Sequence, residues 1–267
     1  MADRADVPTW RPGDGPEAHR SSLDYSPEAI AQFRSHRISA GHQKWPDQTA
    51  AFDGDWYARP TAAIAIPALR TMRDRFRAMV SDVGLFDRLI EDDGRCGGAD
   101  WRLDGVRVTS TSIWSAYYAC RILELAPHAR SVVDIGGGYG HLAHVLAEFY
   151  ASVTLVDLPE VLRLAEAFTD RVTLAHPSGQ WGGDLIVNTM SMQHMTPANL
   201  AYYGARIAAC RPAGLYLVNR TVKRDPTDTP LDAYPFLTDF AEQSRRAIGP
   251  SHAEVFATWR RSDAHAA

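Results

Sequence analysis

From residue 131 the chain alternates short apolar runs with segments whose apolar residues recur at helical spacing. SVVDIG reads as a buried strand, HLAHVLAEFY as a helix, SVTLVDL as a strand and EVLRLAEAF as a helix. RVTLAHP is a short strand, DLIVNTM a strand, PANLAYYGARIAACR a helix and GLYLVNRTV a strand. Strands of this continuous apolar kind, separated by amphipathic helices, form a parallel sheet covered on both faces. Right-handed crossovers then wind such a sheet in two directions, which predicts a doubly wound α/β layer structure. Ligands of these sheets lie beyond the carboxyl ends of the strands, near the point where the winding reverses. The stretch VVDIGGGYGHLAHVL follows the first strand of the series and carries four of its residues as glycine at 136, 137, 138 and 140.

Upstream the pattern differs. Residues 1–24 hold Pro, Gly and charge with few aliphatic residues to bury and read as a disordered or loosely docked tail. Ser26-Pro27-Glu28 has the form of a helix start. A second helix is predicted through IAIPALRTMRDRFRAMVSDVG, closing at Gly84, with Pro67 as a kink near its beginning. WRLDGVRVTST alternates like a hairpin around Asp104-Gly105, and SIWSAYYACRILELA has helical spacing up to Pro127. Residues 25–129 thus form a mainly helical accessory region that covers the acceptor, and 130–267 the ligand-binding domain.

Composition narrows the class. A chain of 267 residues with 45% hydrophobic content can bury a full core. The net charge of −4 and scattered basic residues give no field for nucleic acid. RTMRDRFR, residues 70–77, reads as a solvated helix face. No run reaches the roughly 18 apolar residues of a membrane span, and the N-terminal residues lack an apolar secretory core, so the chain is expected in the cytoplasm. Cys96, Cys120 and Cys210 are dispersed, which suggests neither a disulfide framework nor a zinc site.

A glycine turn after a strand suits a triphosphate, a dinucleotide or a sulfonium nucleoside. A phosphate-binding P-loop needs Lys and Ser/Thr after the glycines, and this chain has neither there. A dinucleotide fingerprint would put a third glycine where His141 stands. The residues match DxGxGxG instead, as Asp134, Gly136, Gly138 and Gly140. With Asp157 in TLVDLPEV at the end of the second strand, the stretch resembles motif I of class I S-adenosylmethionine-dependent methyltransferases.

That resemblance implies an α/β, mostly parallel, seven-stranded Rossmann-like methyltransferase sheet with an N-terminal helical accessory region. It implies S-adenosylmethionine as cofactor and S-adenosylhomocysteine as product. Gly136, Gly138 and Tyr139 would line the methionine and ribose part, and Asp134 would hold the turn. Asp157 would take the ribose and Leu158 would pack on adenine. Ser178 in HPSGQW stands roughly where family members often carry an Asp toward the adenine amine. A carboxylate can accept from both ribose hydroxyls, and glycine lets backbone approach a ligand closely.

IWSAYYACRI, VVDIGGGYG, VDLPEV and the block of Asn188, Ser191, Gln193 and Met195 further resemble sugar O-methyltransferases of bacterial natural-product pathways. That likeness spans about residues 108–222. Asn188 ends the fourth strand, at the edge that faces the methyl group in this fold. A sugar hydroxyl is a poor nucleophile at neutral pH, so a base is expected, and His194, with an ordinary pKa of about 6.5, is the first candidate. Gln193 would orient the acceptor, and His141 is the rival base or acceptor contact. A His near a strand end is as often structural. Trp114, Tyr117 and Tyr118 could line an acceptor pocket, although aromatic residues at helical spacing are commonly core. Arg220 and Lys223 could meet an acceptor carboxylate or phosphate.

Asp225, Asp228 and Asp232 are the acids available to a divalent metal, but their spacing reads as a polar loop and no catalytic metal is expected. Two alternatives stand beside sugar methylation: methyl transfer to a phenol, enol or carboxylate, and a non-methylating or pericyclic protein that keeps the cofactor site. The acceptor is a small molecule in each case, and a homodimer through the N-terminal helices is plausible.

Overall fold

The computed structural model describes residues 62–92, 101–166, 168–223 and 229–260. The expected N-terminal tail, the helix start at Ser26, Cys96 and the acids Asp225 and Asp228 lie outside these residues. Helix α1 spans Ala62–Arg77 with Pro67 inside it, and α2 spans Val83–Leu89. The single helix expected to close at Gly84 is therefore two. The break follows from Asp82, whose carboxylate accepts from the Leu85 N–H at 2.8 Å and caps a new helix, so Gly84 lies in a first turn and not at an end.

Strands β1 (Trp101–Leu103) and β2 (Val106–Val108) form the expected hairpin. Asp104 and Gly105 both have positive φ, 52° and 89°, as a two-residue turn of this twist requires. Helix α3 (Ser110–Leu125) follows, opened by a reciprocal cap between Thr109 and Ser112.

The main sheet contains β3 (Ser131–Ile135), β4 (Ser152–Val156), β5 (Thr173–Ala175), β6 (Leu185–Thr189), β7 (Gly214–Arg220), β8 (Phe240–Ala247) and β9 (His252–Trp259). Its order is β5-β4-β3-β6-β7-β9-β8. The first five are parallel, and β9 and β8 add antiparallel at one edge. The expected doubly wound sheet is thus present, and its order reverses between β3 and β6. Helices α4 (His141–Leu146), α5 (Pro159–Glu166) and α6 (Pro197–Cys210) connect the parallel strands. The crossover from β5 to β6 has no helix; its Pro177 carbonyl accepts from the Trp181 indole at 3.0 Å and the Tyr202 hydroxyl at 2.9 Å.

Alternation along each strand sorts side chains into two cores. Val132, Leu155, Val187, Tyr216 and Phe256 meet buried residues of α1 to α5 on one face. Val133, Ile135, Ile186, Leu217 and Val255 meet α6 and the segment around Phe236 on the other. Helix α3, from the accessory region, therefore packs on the same sheet as the helices that follow it.

The first core encloses a charge. Glu254 in the middle of β9 is 1% exposed and accepts from the Tyr117 hydroxyl at 2.7 Å and the Tyr216 hydroxyl at 3.0 Å. Arg121 of α3 gives it two further bonds, from Nε at 3.0 Å and Nη2 at 2.9 Å, and also pairs with Glu124. Removing one partner of such a pair strands the other in low dielectric, at a cost of about 3–5 kcal/mol. Urea unfolding of Glu254→Leu should lose about that much stability, and adding Arg121→Met should restore a large part of it; an unchanged midpoint for the single variant would remove this network from the fold's support.

Candidate functional site

The reversal of strand order between β3 and β6 opens a crevice at their carboxyl ends, and the glycine turn lies there. Gly136, Gly138 and Gly140 have φ of 69°, 63° and 85°, values that side-chain-bearing residues rarely adopt. The Gly136 N–H donates to the Val156 carbonyl at 2.7 Å, and Gly140 precedes α4. Two of the four glycines make room for the protein itself. A Cβ at Gly136 would stand 2.1 Å from Ser191 Oγ, and one at Gly137 would stand 2.3 Å from Asp134 Oδ2.

Two carboxylates lie at the turn, and Asp157 is the one bonded to it. Asp157, just past β4, accepts from the Gly138 N–H at 3.0 Å and from its neighbour Leu158 at 2.7 Å. Half-buried Leu158 sits at the start of α5. Asp134 is wholly buried in β3, and neither of its oxygens has a hydrogen-bond partner among the described residues.

The segment after β6 is a second, fully bonded unit. Asn188, 0% exposed, donates from Nδ2 to the Ile135 carbonyl at 2.6 Å and to Ser191 Oγ, and accepts at Oδ1 from the Met192 N–H at 3.2 Å and Asn219 Nδ2 at 2.8 Å. Ser191 Oγ donates to the same Ile135 carbonyl at 3.1 Å. Met190 between them is held at φ 62°, the kind of strain that persists only where surrounding bonds over-determine the backbone. The Gln193 N–H donates to Asn219 Oδ1 at 3.2 Å, and its side-chain Oε1 accepts from the Arg220 N–H at 2.9 Å. Its Nε2 lies 3.1 Å from His194 Nε2. Gln193 is thus buried among protein partners, while His194 is partly exposed.

Arg220 ends β7 directly opposite His252 of β9. Burial, then the charges of Arg220 and His194, pull the His252 imidazole below its ordinary value. His194, Arg220 and His252 therefore share one end of the sheet beside Gln193. Sequence reasoning missed Asn219 and His252 as members of this group. Asn219 was detectable as a polar residue inside the apolar run GLYLVNR, whereas His252 had no signal without the β8–β9 hairpin.

The other expected residues are dispersed. Ser178 is exposed and bonded to His176 Nδ1 at 2.7 Å, which makes His176 the larger polar group of that loop. Tyr139 is buried against Phe168, with ring centroids 5.4 Å apart. Together with His141, His144, Arg88 and Leu89 they border a cavity of about 140 Å³ on the α2–α4 side of the turn. Trp114 packs between Phe76, tilted at 4.3 Å, and Tyr118, stacked at 5.3 Å, and Tyr118 is 5% exposed, so this aromatic group belongs to the first core. Asp232 bonds Arg245 at 2.7 Å, and Lys223 is exposed. Among the described residues no group of three or more His, Cys, Asp or Glu could hold a metal ion, and no helix is long and apolar enough to cross a membrane.

No family model matches the chain, and no curated protein does. Solved structures are similar at low identity. Human N-acetylserotonin methyltransferase in complex with SAM is 14% identical, with a TM-score of 0.43 over 57% of this chain and 54% of that one. An O-methyltransferase family protein from Burkholderia thailandensis is 17% identical, with a TM-score of 0.45 over 58% of each chain. An O-methyltransferase family 2 protein from Planctomyces limnophilus in complex with apigenin is 14% identical, with a TM-score of 0.43 over 57% of this chain and 59% of that one. The match spans a little over half the length of each.

Burial, and after it the charge of Asp157, raises the Asp134 carboxyl to about 7. An unfolded Asp titrates near 3.9, so between about pH 4 and 7 the folded protein binds a proton that the unfolded chain has lost. Stability of the ligand-free protein should therefore fall as pH rises through that window, by at most about 1.4 kcal/mol per pH unit from this group, and level off above it. Asp134→Asn should flatten that part of the curve in urea titrations; an identical slope would show that Asp134 is ionised throughout.

Proposed function

We propose that this protein is an S-adenosylmethionine-dependent O-methyltransferase of small molecules. The observation that carries the reading is the glycine turn at the reversal of strand order, with positive φ at Gly136, Gly138 and Gly140 and the Asp157 carboxylate fastened to the Gly138 N–H at 3.0 Å. A carboxylate at this turn can accept from both hydroxyls of a ribose, and bare backbone lets the methionine part of a sulfonium nucleoside approach closely. Asp157 would take the ribose, the turn of Gly136, Gly138 and Tyr139 would hold the methionine part, and Leu158 with the loop of His176 and Ser178 would border adenine. When bound, the cofactor supplies an electrophilic methyl group. The chain's own work is position and exclusion of water, which can lower such a barrier without covalent chemistry.

Sequence resemblance favours a sugar hydroxyl of a natural product as acceptor, received at the end of β6 and β7 near His194 and Arg220. A second reading, an acidic hydroxyl such as a phenol, enol or carboxylate that needs no protein base, is favoured by the Gln193 amide nitrogen, which lies 3.1 Å from His194 Nε2 and engages a ring nitrogen that a base would need. We further propose that the protein works without a catalytic metal, in the cytoplasm and on no nucleic acid. Whether the N-terminal helices pair two copies is a separate proposal.

Calorimetric titration with S-adenosylhomocysteine tests the cofactor assignment. Charge-assisted hydrogen bonds contribute roughly 1.5–3 kcal/mol each, so Asp157→Asn should weaken binding about 10- to 100-fold. Equal affinity for both proteins, or no binding by the parent, would reject the assignment.

A further inference from the structure

The peptide between Ile135 and Gly136 is bonded on both sides. Its N–H donates to the Val156 carbonyl at 2.7 Å, and its carbonyl accepts from Asn188 and Ser191, which uses both lone pairs of the oxygen. The two donors hold different things. Asn188 belongs to β6, and its remaining bonds go to the Met192 N–H and to Asn219, so it holds strand against strand. Ser191 stands beyond Met190, whose φ of 62° turns the chain out of the strand, and it precedes the short 3₁₀ turn Met192–His194. The Met190 N–H donates to the Val218 carbonyl at 2.7 Å. The segment that leaves β6 is therefore tied to β7 through Met190 and to β3 through Ser191.

The tie to β3 carries a steric condition. A Cβ at Gly136 would stand 2.1 Å from Ser191 Oγ and 2.6 Å from Ser191 Cβ, whereas the next atom, Asn188 Nδ2, is at an ordinary 3.8 Å. Residues 136 and 191 thus exclude each other's side chains, and residue 136 is the first of the glycine turn. A shift of the turn backbone reaches the segment through a hydrogen bond and through a packing contact, both at Ser191. Resting on the methyltransferase reading above, we propose that Ser191 is a positioning residue that couples the cofactor turn to the acceptor side of the crevice. Occupancy of the turn fixes the Ile135–Gly136 peptide, and Ser191 carries that constraint into the segment Met190–Met195. Such coupling is reciprocal: a segment held in place also favours the turn geometry that binds the nucleoside. An acceptor received at this edge then meets a segment already ordered by the cofactor, at a lower entropic cost.

Three of the chain's six methionines, Met190, Met192 and Met195, flank Ser191, and Met192 and Met195 are buried in the second core, where a ligand in the crevice does not touch them. Full-length protein labelled at the methionine methyl carbons reports them by NMR, with the two signals assigned by their loss in Met192→Leu and Met195→Leu. Saturating S-adenosylhomocysteine should shift both signals in the parent. Ser191→Ala should bind the same ligand within about threefold of the parent by calorimetry, yet lose most of that shift. In ligand-free protein Gly136→Ala should displace both signals. The same change made in Ser191→Gly should leave them nearly in place, and made in Ser191→Ala should not, since the 2.6 Å contact with Cβ persists. Met72 and Met79, packed on the first core, are the control: a variant that has lost its fold moves them as well, and the comparison of parent with Ser191→Ala then decides. Equal ligand-induced shifts in parent and Ser191→Ala, a parent that binds with Met192 and Met195 unmoved, or a Ser191→Ala affinity more than about tenfold weaker would overturn the proposal. Failure of the parent to bind S-adenosylhomocysteine would instead reject the methyltransferase reading, while the exchange of side chains between positions 136 and 191 would still test their contact.

Discussion

The carbonyl of Ile135, the last residue of β3, holds the crevice together. It accepts from Asn188 at 2.6 Å and from Ser191 at 3.1 Å, so the turn that would carry the cofactor and the segment that would meet the acceptor hang from one atom. A parallel sheet whose order reverses has no crossover to bridge the two central strands on that side, and without such a bond their carboxyl ends would be free to separate. The consequences run outward. Ser191 can reach the carbonyl only because Gly136 has no Cβ in its path. Asn188 passes the constraint to Asn219 on β7 and thence to Gln193, Arg220 and His194.

Rigidity at that edge needs an anchor below it, and Glu254 supplies one. The antiparallel strand β9 pairs with β7 along its length, and Glu254 ties its middle to α3 through Arg121 and Tyr117. His252 lies two residues before that anchor, which fixes its place opposite Arg220. The accessory helix that precedes β3 and the strand that ends the described chain are thus joined through one buried carboxylate. Desolvation, followed by the nearby Glu254 charge, pushes the Tyr117 hydroxyl well above its ordinary range, so it stays a donor at any working pH.

Local chemistry was legible in the sequence where neighbours in space are neighbours in the chain. The strand–helix alternation after residue 131, the Asp104-Gly105 turn and the glycine motif with Asp157 depend on short spacings, and all appear in the structure at those places. The hairpin of β8 and β9 went unread because FAEQSRRA carries the charges of a solvated edge, while a glutamate interrupts the apolar run HAEVFATW. That glutamate is compatible with a strand only because Arg121, more than a hundred residues earlier, neutralises it. The same limit applied to the site. A base at His194 is an inference from residue type, and the bonds that set Gln193 between Arg220 and His194 are encoded by no spacing in the sequence. Nor does the sequence show that a Cβ at Gly136 would meet Ser191 and one at Gly137 would meet Asp134, so that part of the bareness serves the protein's own packing.

The account depends most on the nucleoside lying across the crevice between β3 and β6. A crystal structure with S-adenosylhomocysteine tests this directly. The account predicts ribose hydroxyls on Asp157, and the sulfur beside the carboxyl ends of β3 and β6 with Gln193 and His194 on the acceptor side. Density for the nucleoside in the cavity between α2 and α4, or anywhere that leaves Asp157 untouched, would contradict it.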